Sequence, residues 1–194
     1  MNYITRLINH IKLSRMNSIQ QLAWYLGNQI PKINMKYDNV NRGGCGVFAN
    51  IFHKELKRIG IDSEIILMDY KSTVANYQNK LTHELKEKIN STCNTTNDLN
   101  KNFNIQVCHI ILKISDKRFP EQYYLDSSGI STDIKVICDY YEPLLTLTPE
   151  VLDRMASVPD GWNYMFNRDQ IYYIECDINQ MINEYDKKYN LLAA

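Results

Sequence analysis

The stretch that decides the fold is GGCGVFANIFHKELKRIGIDSEII, residues 43–66. Its apolar side chains recur every three or four positions, which is the spacing of one helix face. These positions are Phe48, Ala49, Phe52, Leu56 and Ile59. Gly60 is a natural helix stop, and IDSEIILMD, residues 61–69, predicts a strand. Cys45 is therefore expected where the chain enters a helix that leads into the sheet.

The length and charge of the chain limit the classes of protein to which it can belong. A chain of 194 residues suits one domain, 1–194, in which residues 1–37 are a basic helical N-terminal portion and 38–194 the core. Its 22 basic and 22 acidic residues cancel, which argues against binding nucleic acid through the phosphates. Residues 1–37 carry five basic and no acidic side chains, which fits an acidic partner, a membrane surface or a plain solvated helix face.

Location and redox chemistry follow from what the sequence lacks. No run approaches the roughly twenty apolar residues of a membrane helix, and the N-terminus lacks the apolar core of a secretory signal. We therefore expect a cytoplasmic protein with no membrane span. The five cysteines form no CxxC pair, which predicts free thiols with no metal site, and no cofactor is expected. Abundant Asn, Ile, Lys and Tyr are typical of AT-rich phage or bacterial genomes.

The remaining sequence predicts further helices and strands around this central helix. Residues 29–44 and 91–104 are rich in polar residues and turn formers and are expected to be irregular, the second a flexible loop. Helices are predicted over 4–11, 19–26, 72–90 and 148–155 and from Asp177 onward, and strands over 107–114, 121–128, 134–138 and 170–176. N-terminal helices and a central Cys-bearing helix packed on an antiparallel sheet define an α+β fold.

Cys45 has the surroundings of a nucleophile. Unpaired N–H groups and the helix dipole favour the thiolate form of a cysteine at a helix N-terminus. Gly43, Gly44 and Gly46 remove side chains around the thiol, permit unusual backbone angles and let a substrate carbonyl approach the backbone. The N–H of Cys45 itself is then available to stabilise an oxyanion. A small buried cysteine at a tight turn is the alternative interpretation.

His109 is the best placed of the four histidines to act as the base. If 107–114 and 121–128 pair around a six-residue loop, Ile114 faces Glu121 and His109 faces Asp126. A carboxylate in that position accepts a hydrogen bond from the imidazole and fixes its tautomer. A shift of one residue in the register would separate the two side chains onto opposite faces. The alternatives are a half-buried strand histidine and a turn-forming aspartate.

At these residues the chain resembles transglutaminase-like proteins. GGCGVFANIFHKELKRIGIDSEII resembles their Gly-Gln-Cys-Trp-Val-Phe-Ala stretch, and HIILKI and YYLDSSG resemble their His-containing and Asp-containing strands. The resemblance implies a papain-like α+β fold with Cys45 as nucleophile, His109 as base and Asp126 as the residue that orients the base. Gly44 and Gly46 stand where the family usually has Gln and Trp.

Further candidate residues lie on both sides of the cysteine. Papain-like enzymes often supply a side-chain amide just before the cysteine as second oxyanion donor, and Asn39 and Asn41 are the candidates here. Gly44 and Gly46 are candidate substrate contacts. Trp162, in DGWNYMFNR, is expected either to line a substrate groove or to pack in the core.

Three functions are consistent with these residues. The first is a thiol hydrolase that cleaves a peptide, isopeptide or related amide bond through an acyl-enzyme on Cys45, with a protein or peptide as substrate. The second is an acyltransferase, transglutaminase or deamidase that modifies a protein, as a phage or bacterial effector does. The third is a non-catalytic binding module in which the triad is vestigial.

Overall fold

The computed structural model describes residues 18–37, 44–77, 80–106, 108–114, 121–157 and 168–189. Over these ranges the chain forms eight helices and one five-stranded antiparallel sheet. The predicted α+β class is therefore confirmed. The expected helix at 4–11 lies outside the described residues.

The elements follow one another as helices, one strand, more helices and then the rest of the sheet. The helices are α1 Ser18–Lys36, α2 Cys45–Arg58, α3 Lys71–Tyr77, α4 His83–Thr92, α5 Thr96–Phe103, α6 Ile134–Ile137, α7 Pro149–Ser157 and α8 Arg168–Tyr189. The strands are β1 Ser63–Tyr70, β2 His109–Ile114, β3 Tyr123–Asp126, β4 Gly129–Ser131 and β5 Tyr141–Leu147. Across the sheet their order is β4-β3-β2-β1-β5.

Helix α2 packs across the middle of the sheet, as the sequence predicted. Its apolar face lies against β1 and β2, while α7 and α8 pack on the helix from other sides. Phe48 and Phe52, one turn apart, place their rings 4.7 Å from each other in this core. Gly60 ends the segment with a φ of +75°, which favours glycine. Residues 45–52 are all buried, and this packing on several sides fixes where Cys45 lies.

The opposite face of the sheet carries a smaller apolar cluster. Ile66, Met68 and Ile111 lie on this face with Cys138, and the short helix α6 covers them through Ile134 and Ile137. Side chains alternate between the two faces of the sheet along β2. Ile111 therefore lies on this face, whereas Ile110, Leu112 and Ile114 belong to the main core on the other. The sheet is therefore apolar on both faces, with different helices on each.

The prediction that residues 29–44 are irregular was wrong for the first part of this segment. Helix α1 continues through Pro31 to Lys36. Ile30 and Ile33 extend the apolar stripe of Leu22 and Leu26, and all four are buried. Burial of this stripe outweighs the cost of a proline in the helix interior.

Residues 72–104 also differ from the prediction. The single helix expected over 72–90 is two helices, α3 and α4, and Thr82 caps α4 by accepting a hydrogen bond from the N–H of Leu85. The expected flexible loop at 91–104 contains α5, which begins with a capping box formed by Thr95 and Asp98. Leu99 anchors α5 in the main core. Because most residues of this segment are polar, the sequence prediction missed the buried Leu99 and the start of α5.

Three predictions in the last third of the sequence were wrong or incomplete. Residues 134–138, expected as a strand, contain α6, whose first turn is capped by the Asp133 carboxylate. Strand β5 was not predicted. The strand expected over 170–176 lies within α8, which begins at Arg168 rather than at Asp177. Its buried residues recur at helical spacing, at Ile174, Ile178, Met181, Ile182 and Tyr185.

Within the part of the chain that the structure describes, no helix is both long enough and apolar enough to cross a membrane.

Candidate active site

Cys45 is the first residue of α2. The helix begins with the hydrogen bond from the N–H of Phe48 to the carbonyl oxygen of Gly44, 3.0 Å long. Gly44 is the N-cap residue and has no side chain to cap the helix, so the N–H groups of the first turn are not satisfied from that residue. Cys45 is 9% exposed. The thiol therefore lies at the positive end of the helix dipole, nearly shielded from water.

The glycines around Cys45 act differently from what the sequence predicted. Gly44 has a φ of −97° and a ψ of 0°, which other residues adopt as well. Gly46 lies inside the first turn of α2. Both glycines are buried. Unusual backbone angles are therefore not the reason for glycine at either position, and the removal of side chains beside the thiol is the explanation that remains.

His109 and Asp126 lie together at one end of the sheet. His109 is the first residue of β2 and Asp126 the last of β3, and these strands are antiparallel. The His109 Nε2 atom is 2.8 Å from the Asp126 Oδ2 atom. Since a carboxylate only accepts, the ring donates Nε2–H, and Nδ1 is left for another partner. This is the tautomer that a base oriented by an aspartate needs.

The hairpin register that led to this pair differs from the predicted one. Ile114 pairs with Tyr123, not with Glu121, so the strands are shifted by two residues. Asp126 is consequently a diagonal neighbour of His109 rather than its direct partner. Because side chains alternate with a period of two, a shift of two keeps both residues on the same face. The prediction of their proximity holds for this reason, although the prediction of direct pairing was wrong.

The Cys45 side chain lies close enough to the His109 ring to interact with it. Burial lowers the pKa of His109, but the hydrogen bond to Asp126 and the interactions with Cys45 outweigh it and raise the pKa to about 10. The ring is therefore positively charged at neutral pH. A positively charged imidazole is able to give its proton to a group that leaves beside it.

Asp126 is itself held in place. Its Oδ1 atom accepts the backbone N–H of Ser128 at 2.6 Å, while Oδ2 faces His109. The residue is only 4% exposed. Two hydrogen bonds to different oxygens fix the plane of the carboxylate. Asp126, His109 and Cys45 thus form a row of neighbouring side chains, which begins at the turn after β3 and ends at the first residue of α2.

Two further cysteines lie near the site but differ from Cys45. Burial raises the pKa of the Cys108 thiol to about 12, helped by a hydrogen bond to Asp69 and by the charge of Asp69. Burial also raises the pKa of Cys138, against an opposing effect of the charge on His109. Both are neutral thiols at neutral pH, and a neutral thiol is a poor nucleophile.

The other predicted site residues fall into two groups. Gly44 and Gly46 flank the thiol, as their positions in the sequence require. The candidate oxyanion donors Asn39 and Asn41 and the candidate substrate contact Trp162 lie outside the described residues. Their roles stay predictions.

Comparison of the chain with protein-family models, with curated proteins and with solved structures finds no match.

Asp69 is a buried residue near the site that sequence reasoning missed. Its Oδ2 atom accepts the N–H of Gln106 at 3.2 Å, and Oδ1 accepts the N–H of Tyr70 and the thiol of Cys108. The carboxylate therefore fixes the segment that leads into His109. The only sequence signal is an acidic residue directly after the apolar run IILM of β1.

Within the described ranges, no three or more His, Cys, Asp or Glu side chains are arranged to hold a metal ion. The candidate chemistry uses the Cys45, His109 and Asp126 side chains. A thiol next to a charged imidazole, which is held by a fixed carboxylate, is suited to attack on a carbonyl carbon and to proton transfer to the leaving atom.

Proposed function

We propose that this protein is a thiol hydrolase that cleaves a peptide, isopeptide or related amide bond through an acyl-enzyme on Cys45. The observation that carries the proposal is the His109 ring, which donates to Asp126 at 2.8 Å through one nitrogen and lies beside the Cys45 side chain. The order of elements supports a papain-like core, because a cysteine opens the central helix and the histidine and aspartate follow on adjacent strands.

Acylation in this proposal uses the charge state of the site. The Cys45 sulfur attacks the carbonyl carbon, and the carbonyl oxygen becomes an oxyanion next to the N–H of Cys45 and the positive end of α2. As the carbon–nitrogen bond breaks, His109 gives its proton to the departing nitrogen. The amine leaves, and the acyl group stays on sulfur as a thioester.

Deacylation reverses the proton flow. Neutral His109 removes a proton from a water molecule, whose oxygen attacks the thioester carbon. Collapse of the second oxyanion expels the Cys45 sulfur and releases the carboxylic acid. Asp126 keeps the imidazole in one orientation through both halves. Asn39 or Asn41 is the proposed side-chain donor to the oxyanion.

The experiment that tests the proposal compares two thiols of the same chain. Cys45 is buried, whereas Cys176 on α8 is exposed. Alkylation by iodoacetamide at neutral pH, mapped by mass spectrometry, is expected to be faster at Cys45 than at Cys176 despite this difference. His109→Gln is expected to slow the reaction at Cys45 and to leave Cys176 unchanged. A Cys45 rate equal to or below that of Cys176 contradicts thiol activation.

A second step separates hydrolysis from acyl transfer. Peptide, isopeptide and side-chain amide substrates are incubated with the protein, with and without an added amine. Hydrolysis predicts product without the amine, whereas acyl transfer requires it. Cys45→Ala is expected to abolish either product, and a Cys45→Ala protein that is folded and keeps its full biological activity identifies a binding module instead.

A further inference from the structure

A cleft of about 350 Å³ lies directly beside the His109 and Asp126 side chains. One wall is formed by these two residues with Ser128, and the other by α6 and the segment 138–141 that follows it. Cleft volumes of several hundred cubic ångströms are typical of ligand sites. The cleft therefore lies between His109, the proposed proton donor, and α6.

A second cleft, of about 380 Å³, adjoins the first. The two have four lining residues in common, Lys135, Cys138, Asp139 and Tyr141. The second part reaches Pro143 in β5 and Val74 in α3. Together the two clefts extend along α6, from His109 on one side to Pro143 in β5 on the other.

The exposed side chains that line this cleft are partly apolar and partly charged. Tyr140 is 80% exposed and Val136 is 71% exposed, and both line the part next to His109. Lys135 and Asp139 carry opposite charges within the lining. An exposed aromatic ring beside an aliphatic side chain favours a bulky apolar group, and the balanced charges give no preference for an ionic ligand.

We infer that this cleft holds the leaving-group half of the substrate, and that this half is a polypeptide whose first residue carries an aromatic or large aliphatic side chain. The inference rests on the proposed function. His109 gives its proton to the departing nitrogen, so the group bonded to that nitrogen leaves past the wall that His109 forms. A deamidase releases ammonia, which has no use for an extended cleft.

The first test is a binding measurement on the full chain with Cys45→Ala, which prevents the chemistry. Phe-Gly-amide, a peptide with a free N-terminus, represents the released half. In titrations followed by NMR up to about 10 mM, sufficient to detect a Kd of about 1 mM, we expect saturable shifts at the backbone amides of 135–141. Adding Tyr140→Ala is expected to weaken binding about fivefold, the scale of one lost aromatic contact. Tyr173→Ala, an exposed tyrosine on α8, is the matched control and is expected to change nothing.

The second test uses the wild-type chain and a mixed peptide library, with cleavage sites mapped by mass spectrometry. We expect aromatic or large aliphatic residues directly after the cleaved bond, and we expect Tyr140→Ala to weaken that preference alone. Release of ammonia from side-chain amides without backbone cleavage overturns the inference, as does the absence of saturable shifts at 135–141.

These outcomes are distinct from failure of the proposed function. Alkylation of Cys45 does not involve the cleft. Fast alkylation without peptide binding removes the cleft inference and leaves the thiol enzyme in place, whereas peptide binding with an unreactive Cys45 does the opposite.

Discussion

His109 is the residue on which the charge of the site depends. Asp126 and Cys45 hold its pKa near 10 although burial alone lowers it. We expect Asp126→Asn to lower the pKa of His109 toward its ordinary value, because the variant removes a hydrogen bond to a carboxylate and a negative charge. NMR titration of the imidazole protons measures this directly. His53 is an internal control, since burial and Lys57 lower its pKa independently of the site. An unchanged His109 titration in the variant contradicts this account.

The raised pKa of His109 also predicts how the free energy of unfolding depends on pH. The folded pKa of His109 is about 10, above the ordinary value of 6.5. A raised pKa contributes stability that is fully present below about pH 6.5 and is lost as the pH rises toward 10. We expect the free energy of unfolding, measured by urea denaturation, to fall over this range in the wild type and to fall less steeply in His109→Gln. Equal slopes in the two proteins contradict the prediction.

Substitution of Asp69 is expected to change the reactivity of the neighbouring Cys108 thiol. Asp69→Ala leaves the backbone N–H groups of Tyr70 and Gln106 without this acceptor, which is expected to cost about 3 kcal/mol of stability. Removing its charge and hydrogen bond also lowers the pKa of Cys108 from about 12. Alkylation of Cys108 at alkaline pH is therefore expected to accelerate in the variant.

Asp69→Asn separates the two effects. It keeps one side-chain oxygen as acceptor but removes the charge, so it is expected to recover part of the stability while Cys108 remains more reactive than in the wild type. A Cys108 rate that follows the stability of the variants, and not the charge at position 69, refutes the electrostatic explanation.

Among the elements, the hairpin shows what the sequence determines. Strand alternation placed His109 and Asp126 on one face, and that face is the same for any register shift of two. The sequence could not determine the shift itself, because Ile114 meets a large side chain in either register. The proximity of the two residues was therefore predictable, and their diagonal geometry was not.

Helix α8 shows why local propensity fails. QIYYIEC is rich in β-branched and aromatic residues, which favour strands. The apolar stripe that makes it a helix becomes evident only when the window reaches Ile178, Ile182 and Tyr185. Burial of the stripe from Ile174 to Tyr185 outweighs the strand preference of these seven residues.

The capping box at the start of α5 predicts an effect on the free energy of unfolding. Thr95 accepts the N–H of Asp98, and the Asp98 carboxylate accepts the N–H of Thr95 in return. Thr95→Ala removes half of this capping box and is expected to lower the free energy of unfolding by about 1 kcal/mol in chemical denaturation. Ser91→Ala is the control, because Ser91 is exposed and its hydroxyl only contacts a carbonyl within α4. Equal effects of the two substitutions contradict a capping role for Thr95.

Across the whole molecule, one apolar core connects the site to distant elements. It includes residues of α1, α2, α7 and α8 and one face of the sheet. The elements that carry Cys45, His109 and Asp126 are therefore supported by residues far from them in the sequence. The single domain predicted over 1–194 requires that these parts unfold together.

Tyr185 offers the test of that requirement. It is fully buried in α8, and its ring lies 5.3 Å from that of Tyr25 in α1. Tyr185→Ala is expected to cost about 3 kcal/mol, because it leaves a cavity where the ring was. In urea, circular dichroism reports the helices and alkylation of the buried Cys93 reports the end of α4. In one domain the midpoints of both measurements fall by the same amount, while Tyr173→Ala, at an exposed position of the same helix, changes neither. A shift seen by circular dichroism alone indicates that α1 and α8 unfold separately from the region around Cys93, and contradicts the single domain.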